Sequence, residues 1–462
     1  VNLNDLARIV DKAIKLGASE AEAYYLLNDV FTARMANKKI VEAKGVVDEG
    51  LAIRVLTADG GLGFSATGKL DSESIDLAIR RAIKVASKRK LKFKYGLPKP
   101  EKYSPAKEVF DKKIAEIDRR KAIELAQRAL STAESYSDKI VNVSGTLNII
   151  KYTIRIVNSN GVEAEDRGTL LEGVIATTAK NGVVESEGYE STMCRFLSDF
   201  NPEEIGIESA KMAIDGLKAE KVDEGEYTAI FAPRASADIA LRVGAFSNPL
   251  IAKTTYQFFL GKEGEKVASE KLSVLDDPRM PRGPYSCSID DEGVPTRTKY
   301  LIENGIFKGF YYDSLSAAME GKSSTGNGFR PAGPAGFTRL PGKLYITEPS
   351  ARPSNLVIKA GSKSPEDIIG EVENGILIRH LHYARVSNPV TGDYTAVLRM
   401  GLYRIENGEV KYALKKARIL DNIIKMISNV DEVGSDLKVA GSWGRYAIAP
   451  TMRISKVRIV PL

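Results

Sequence analysis

The chain has only two histidines, His380 and His382. They stand two residues apart in the apolar run Ile376–His382, which reads as a strand, so both rings fall on one face. Two imidazoles on one face can bind a metal if a carboxylate such as Asp393 comes close. A zinc site normally needs a third protein ligand and a supporting outer shell, and the sequence specifies neither. Neither histidine shares a helix with a glutamate at ligand spacing. His380 and His382 are therefore weak metal candidates, read first as strand-surface or hydrogen-bonded side chains.

Other groups are similarly limited. Cys194 and Cys287 are too far apart for a disulfide framework or a metal knuckle and read as reduced side chains. The acidic neighbours Asp290, Asp291 and Glu292 would raise the Cys287 thiol pKa, which argues against a nucleophile. That acidic block could hold a hard cation, but it lacks the spaced ligands of a calcium loop and reads as a turn before a strand over Thr298–Ile302. Ser324-Thr325-Gly326-Asn327-Gly328 could cradle an anion with backbone amides, yet it lacks the Lys-Ser/Thr ending of a phosphate loop. No G-x-S-x-G elbow occurs. The run Lys88–Tyr95 mixes cations with aromatics and could grip a nucleic acid. It also closes a helix, where lysine and arginine are favoured, so a solvated face is the preferred reading.

Bulk properties bound these possibilities. A length of 462 residues implies two or three domains. Apolar content of 43% and charged content of 27% suit a globular protein in water. No apolar run reaches the ~18 residues of a membrane span, and no secretory signal opens the chain, so a cytoplasmic location is expected. Abundant Lys and Glu, with glutamine confined to Gln127 and Gln257, fit a thermophile. The net charge of +7 permits contact with nucleic acid without requiring it.

The elements that would position these residues follow an α+β plan. A helix capped by Asn4 and stopped at Gly17 precedes strand runs at Glu22–Asn28, Thr32–Ala36, Ile40–Ala43 and Leu51–Thr57. A helix through Ile75, Ala78, Ile79, Ala82 and Ile83 follows. After a proline-rich linker over Tyr95–Pro105 the plan recurs. It has a helix capped by Asp118, strand runs at Val141–Ile149, Thr153–Asn158, Val162–Ala164, Leu171–Thr178 and Val183–Tyr189, and a helix opened by Asn201 and Pro202. The expectation is an N-terminal domain over 1–220, with halves 1–95 and 106–220, each built as helix–strands–helix around antiparallel sheet. A β-rich domain with a few helices would occupy 221–462. Its marks are a strand at Tyr227–Phe231, a helix from Pro233 to Gly244, a helix at Asp421–Ile427 and a closing strand at Arg453–Val460. Asn-Gly turns are expected at Asn304-Gly305 and Asn407-Gly408. Gly326–Gly342 reads as a loop, a lid or a binding loop.

Several blocks resemble the TldD/PmbA family, also called modulator of DNA gyrase, in the same order along nearly the whole chain. They are Gly50–Val55, Gly61–Ser65, Val157–Gly161, Asp276–Pro278, Asp290–Thr296, Leu301–Gly305, Ser324–Asn327, Asn388–Tyr394 and Val433–Leu437. In that family TldD-type chains bind zinc through a His-Glu-x-x-x-His helix and a later cysteine in a Gly-rich block. The corresponding helix here, Pro233–Arg242, has neither His nor Glu, and Trp443 stands in Gly441-Ser442-Trp443-Gly444 where the cysteine would be. The chain thus resembles the TldE/PmbA type. The resemblance implies a non-catalytic subunit of a TldD/TldE-type zinc metalloprotease that processes or degrades small unfolded peptides. It implies no cofactor in this chain and zinc in a TldD-type partner, met as a heterodimer, or pairing with a second copy as a homodimer. It further implies a peptide lying extended in a cleft. Thr325, Gly326 and Asn327, with Thr391, Gly392, Asp393 and Tyr394, are the candidate contacts. Two alternatives remain open: a homodimeric hydrolase using Asp290, Asp291, His380 and His382, and a DNA- or gyrase-binding regulator using Lys88–Lys94.

Overall fold

The computed structural model describes residues 1–331, 344–442 and 445–462. Most of the loop expected over Gly326–Gly342, together with Trp443 and Gly444, lies outside the described residues. The fold is mixed α+β. The first half consists of α1 (Leu3–Lys15), β1 (Glu20–Ala36), β2 (Lys39–Leu56), β3 (Leu62–Thr67), α2 (Ser72–Ala86), α3 (Lys112–Ala115), α4 (Arg119–Ser135), β4 (Ile140–Asn158), β5 (Glu163–Asn181), β6 (Val184–Cys194) and α5 (Pro202–Gly216). The helix–strands–helix plan is used twice, and the two copies share one six-stranded antiparallel sheet ordered β3-β2-β1-β4-β5-β6. They meet where β1 runs antiparallel to β4, from Glu22 opposite Asn158 to Met35 opposite Gly145.

Several short strands expected from the sequence are halves of longer ones. The β1–β2 ladder runs from Glu20–Leu56 to Ala36–Lys39 with one bulge, through the polar Asn28 and Asp29. The reason is burial on both faces, which blurs the apolar–polar alternation. On one face Ala21, Ala23 and Tyr25 pack under α1 and α2, with Leu6, Val10, Ile79 and Ala82. On the other, Tyr24, Leu26, Ile154 and Ile156 pack against Ile289, Leu344 and Tyr345 of the second half. The first helix is capped two residues earlier than expected. Asn2, not Asn4, accepts from the Asp5 amide, and Asp5 accepts from the Asn2 amide. Gly17, at φ +107°, ends it as expected.

The second half opens with β7 (Gly225–Phe231) and α6 (Pro233–Phe246). A nine-stranded sheet places β7 between Met452–Pro461 and Asn374–Ile378. A six-stranded sheet ends on Arg445–Ala449 and Lys438–Ser442. The core joins α6 to both sheets through Ile239, Val243, Leu356, Ile378, Ala396 and Ala447. Both Asn-Gly turns form with positive φ at Asn304, Gly305, Asn407 and Gly408, the type I′ geometry. Gly328–Phe329, expected to lie in irregular loop, instead pairs with Ser350–Ala351. The helix expected over Asp421–Ile427 spans Ile423–Ser428, with Asn422 as its cap. Among the described residues no helix is long and apolar enough to cross a membrane.

Candidate peptide trench along β6

β6 is the last strand of the first sheet and pairs with β5 on one side only. Three cavities open in succession along it. The first, about 710 Å³, lies between Val184–Glu187 and the segments Arg399–Tyr403 and Ala413–Lys416. The second, about 290 Å³, lies between Glu190–Thr192 and the start of α6, with Arg379 and His380 in its wall. The third, about 320 Å³, lies between Thr192–Cys194 and Met280–Gly283. The sheet edge thus forms one wall of a trench whose other wall comes from the second half of the chain.

Ion pairs line the first two cavities. Glu187 meets Arg399 at 2.5 Å, and Arg379 meets Glu208 at 2.7 Å. Arg234, in the first turn of α6, donates to Glu190, to the Ser191 carbonyl (2.7 Å) and to the Gly441 carbonyl. Its guanidinium also lies over the Tyr189 ring. Burial opposes the Arg234 cation, but Glu190, Tyr189 and Tyr446 more than offset this and raise its pKa.

The expected strand through the histidines stops at Ile378. His380 lies in the connection, and His382 begins the strand His382–Asn388. The rings still sit side by side, with centroids 6.3 Å apart. Contrary to a strand-surface reading, His380 is only 2% exposed, and the Nε2 atoms of both histidines are buried without a hydrogen-bond partner among the described residues. Burial, then Arg234, Arg379 and His382, hold His380 well below the ordinary imidazole pKa. Burial and Arg399 lower His382. Both rings are neutral near pH 7.

This donor set does not fit zinc. Among the described residues no three His, Cys, Asp or Glu side chains converge, and the two histidines are flanked by arginines. Asp393 is exposed on the adjoining strand, opposite Asn422.

The remaining candidate residues sit elsewhere. Asn327 is fully buried. It donates to Asp276 (2.7 Å) and the Arg352 carbonyl (2.8 Å), and accepts from Lys299 (2.9 Å) and Thr325 (2.7 Å). Gly326 has φ +73° and lies against the Pro295 carbonyl. Tyr394 is buried and donates to Asp238 at 2.7 Å. Thr391 and Gly392 form the turn before it, where the Thr391 carbonyl accepts from Asn422 at 2.5 Å.

The acidic block does form a turn, with Gly293 at φ +79°, but Asp290, Asp291 and Glu292 are all fully buried. Glu292 pairs with Arg54, and Arg54 with Glu22. Cys287 and Cys194 are buried and unbridged, and burial pushes the Cys194 thiol up to about 12. In the basic run, Arg89 pairs with Glu348 and Lys90 with Asp59, while the Tyr95 hydroxyl meets Ser314 at 2.9 Å.

Sequence reasoning passed over Arg234, Glu190, Glu22, Arg54 and Arg330. Two signals existed. An arginine in a helix's first turn opposes the macrodipole, and Arg54 interrupts an apolar strand.

Similarity to known proteins places this fold among metallopeptidase-family scaffolds. The PmbA/TldA metallopeptidase C-terminal domain matches residues 224–461, the central domain 112–217 and domain 1 21–86. The chain belongs to the PmbA/TldD family. It is 28% identical to Metalloprotease PmbA of Escherichia coli O157:H7 over 330 residues, 70% of this chain and 67% of that protein. It is 26% identical to a Zinc metalloprotease TldD homolog of Saccharolobus solfataricus, covering 94% of this chain and 93% of that one. The crystal structure of TldE from Thermococcus kodakarensis matches with a TM-score of 0.88 and 26% identity, covering 98% of this chain and 99% of that chain.

Proposed function

We propose that this chain is the non-catalytic, TldE/PmbA-like subunit of a TldD/TldE-type zinc metalloprotease. In this reading it helps to process or degrade small unfolded peptides, and residues 1–220 and 221–462 enclose the cleft. The observation that carries the proposal is the trench along β6, whose wall has an arginine, Arg234, on the helix where a zinc peptidase needs imidazoles and a carboxylate base. An extended peptide can add to an open sheet edge through main-chain hydrogen bonds. The turn Thr391–Asp393, exposed at Thr391 and Asp393, is a further contact. Zinc is supplied by the TldD-type partner, and the complex is cytoplasmic.

The test is zinc-dependent hydrolysis of an unfolded peptide by the purified chain, by a TldD-type subunit, and by the mixture. Activity of the mixture above that of the TldD-type subunit alone supports the proposal. Chelator-sensitive hydrolysis by this chain alone would overturn it and favour a homodimeric hydrolase.

A further inference from the structure

The middle cavity of the trench is lined by residues with polar atoms that no described residue satisfies. Among the described residues His380 Nε2 is buried without a partner. Arg234 Nε is also buried and unpartnered, although both terminal nitrogens of the same guanidinium are engaged. The 14-residue helix α6 begins here without a side-chain cap, because its N-cap is Ala232 and Pro233 follows. Ala232, Pro233, Arg234 and His380 all line the same cavity.

An uncapped helix N-terminus favours negative charge, and a buried donor left unmade costs free energy. Arg379 and Lys438 add positive charge to the wall. Of the four acids there, three are committed: Glu190 to Arg234 and Arg379, Glu208 to Arg379, and Asp199 to Arg282, with Glu204 the fourth.

We propose that this cavity binds a peptide carboxylate, with Arg234 Nε and His380 Nε2 as its donors at the uncapped start of α6. This deepens the reading of the trench as a peptide site and rests on it. The carboxylate would fix the register of a peptide lying along β6. His380 would carry its proton on Nε2 when the site is filled.

The experiment uses the full chain, alone and with a TldD-type subunit, and three peptides. They are tetra-alanine as the free acid, the same peptide as its carboxamide, and a carboxamide with an internal glutamate. Affinity is read by calorimetry. Because the chain has only two histidines, ring-proton NMR signals report on His380 directly.

A C-terminal carboxylate predicts at least tenfold tighter binding of the free acid than of its carboxamide, with a shift of the His380 resonance. A side-chain source predicts the same advantage for the glutamate peptide. His380→Gln and Arg234→Gln should each abolish the preference. His380→Gln leaves the arginine network intact, so a folding failure of Arg234→Gln does not decide the matter. Equal affinity for all three peptides, with the His380 resonance unmoved, overturns the carboxylate site and leaves the trench reading standing. No peptide bound by the chain or the mixture overturns both.

Discussion

Arg54 Nη1 lies 2.6 Å from Glu292 Oε1, with both side chains buried and 238 residues apart in sequence. The pair belongs to a longer series. Arg54 also meets Glu22 at 2.6 Å, and Glu22 meets Arg330 at 3.1 Å. Strands β1 and β2 are thereby joined to the acidic turn and to the segment after Gly328–Phe329. Burying such charges is costly, and alternation of sign along the series is what makes it tolerable.

Removing one member should therefore leave an uncompensated charge. Glu292→Gln is expected to destabilise the fold by about 3–5 kcal/mol. The double variant Arg54→Met/Glu292→Leu should lose less than the sum of its single changes. Urea unfolding of the four proteins checks this, and strict additivity would contradict a coupled pair.

Asp313 provides a pH prediction. It caps the helix Ser314–Met319, and burial, then the charge of Glu292, push its carboxyl up from 3.8 to about 6. A raised folded-state pKa means that the native state binds the proton more tightly than the unfolded chain does. The contribution is fully present below pH ~3.8 and is lost as pH rises through about 6. The difference in unfolding free energy between the parent and Asp313→Asn should change by on the order of 2–3 kcal/mol across that window. Asparagine can still cap the helix. A difference that is flat with pH would show that Asp313 is not held protonated.

The edge of β6 can be closed without touching the core. The Ser191 amide donates to the Glu190 side chain and not to β5, which places the odd-numbered amides of β6 on the open edge. Glu185→Pro removes one such donor at a solvent-exposed edge position, where proline is tolerated. Peptide affinity should fall about tenfold, the worth of roughly one hydrogen bond, while the melting temperature changes little. Unchanged affinity would place the peptide elsewhere.

Gly326 separates structural from binding roles in the Thr325–Asn327 segment. At φ +73°, a Cβ would stand 2.4 Å from the Pro295 carbonyl oxygen. Gly326→Ala should cost about 1–3 kcal/mol from backbone strain, with a further cost from the clash. Thermal unfolding measures it. A neutral substitution would mean that the turn is free to relax.

Much of the fold was legible locally. Asp118, Asn201 with Pro202, Gly17 and the two Asn-Gly turns act through their own backbone neighbours, so their signals survive without tertiary context. The twofold plan was legible for the same reason, and the ordered Gly-rich blocks pointed to the family. The length of the strands was not legible, because helices cover one face of the first sheet and the second half of the chain covers the other.

The sequence by itself determined the α+β plan, the turns, and which residue types stand in the Pro233–Arg242 helix. Only the tertiary structure decided that Asp290, Asp291 and Glu292 are buried, with Glu292 in the charge network, that His380 is interior, and that Arg234 faces Glu190 and Gly441. Burial and ion pairing depend on which distant segments share a low-dielectric interior, and Glu22, Arg54, Glu292 and Arg330 become neighbours only when the two halves close on each other.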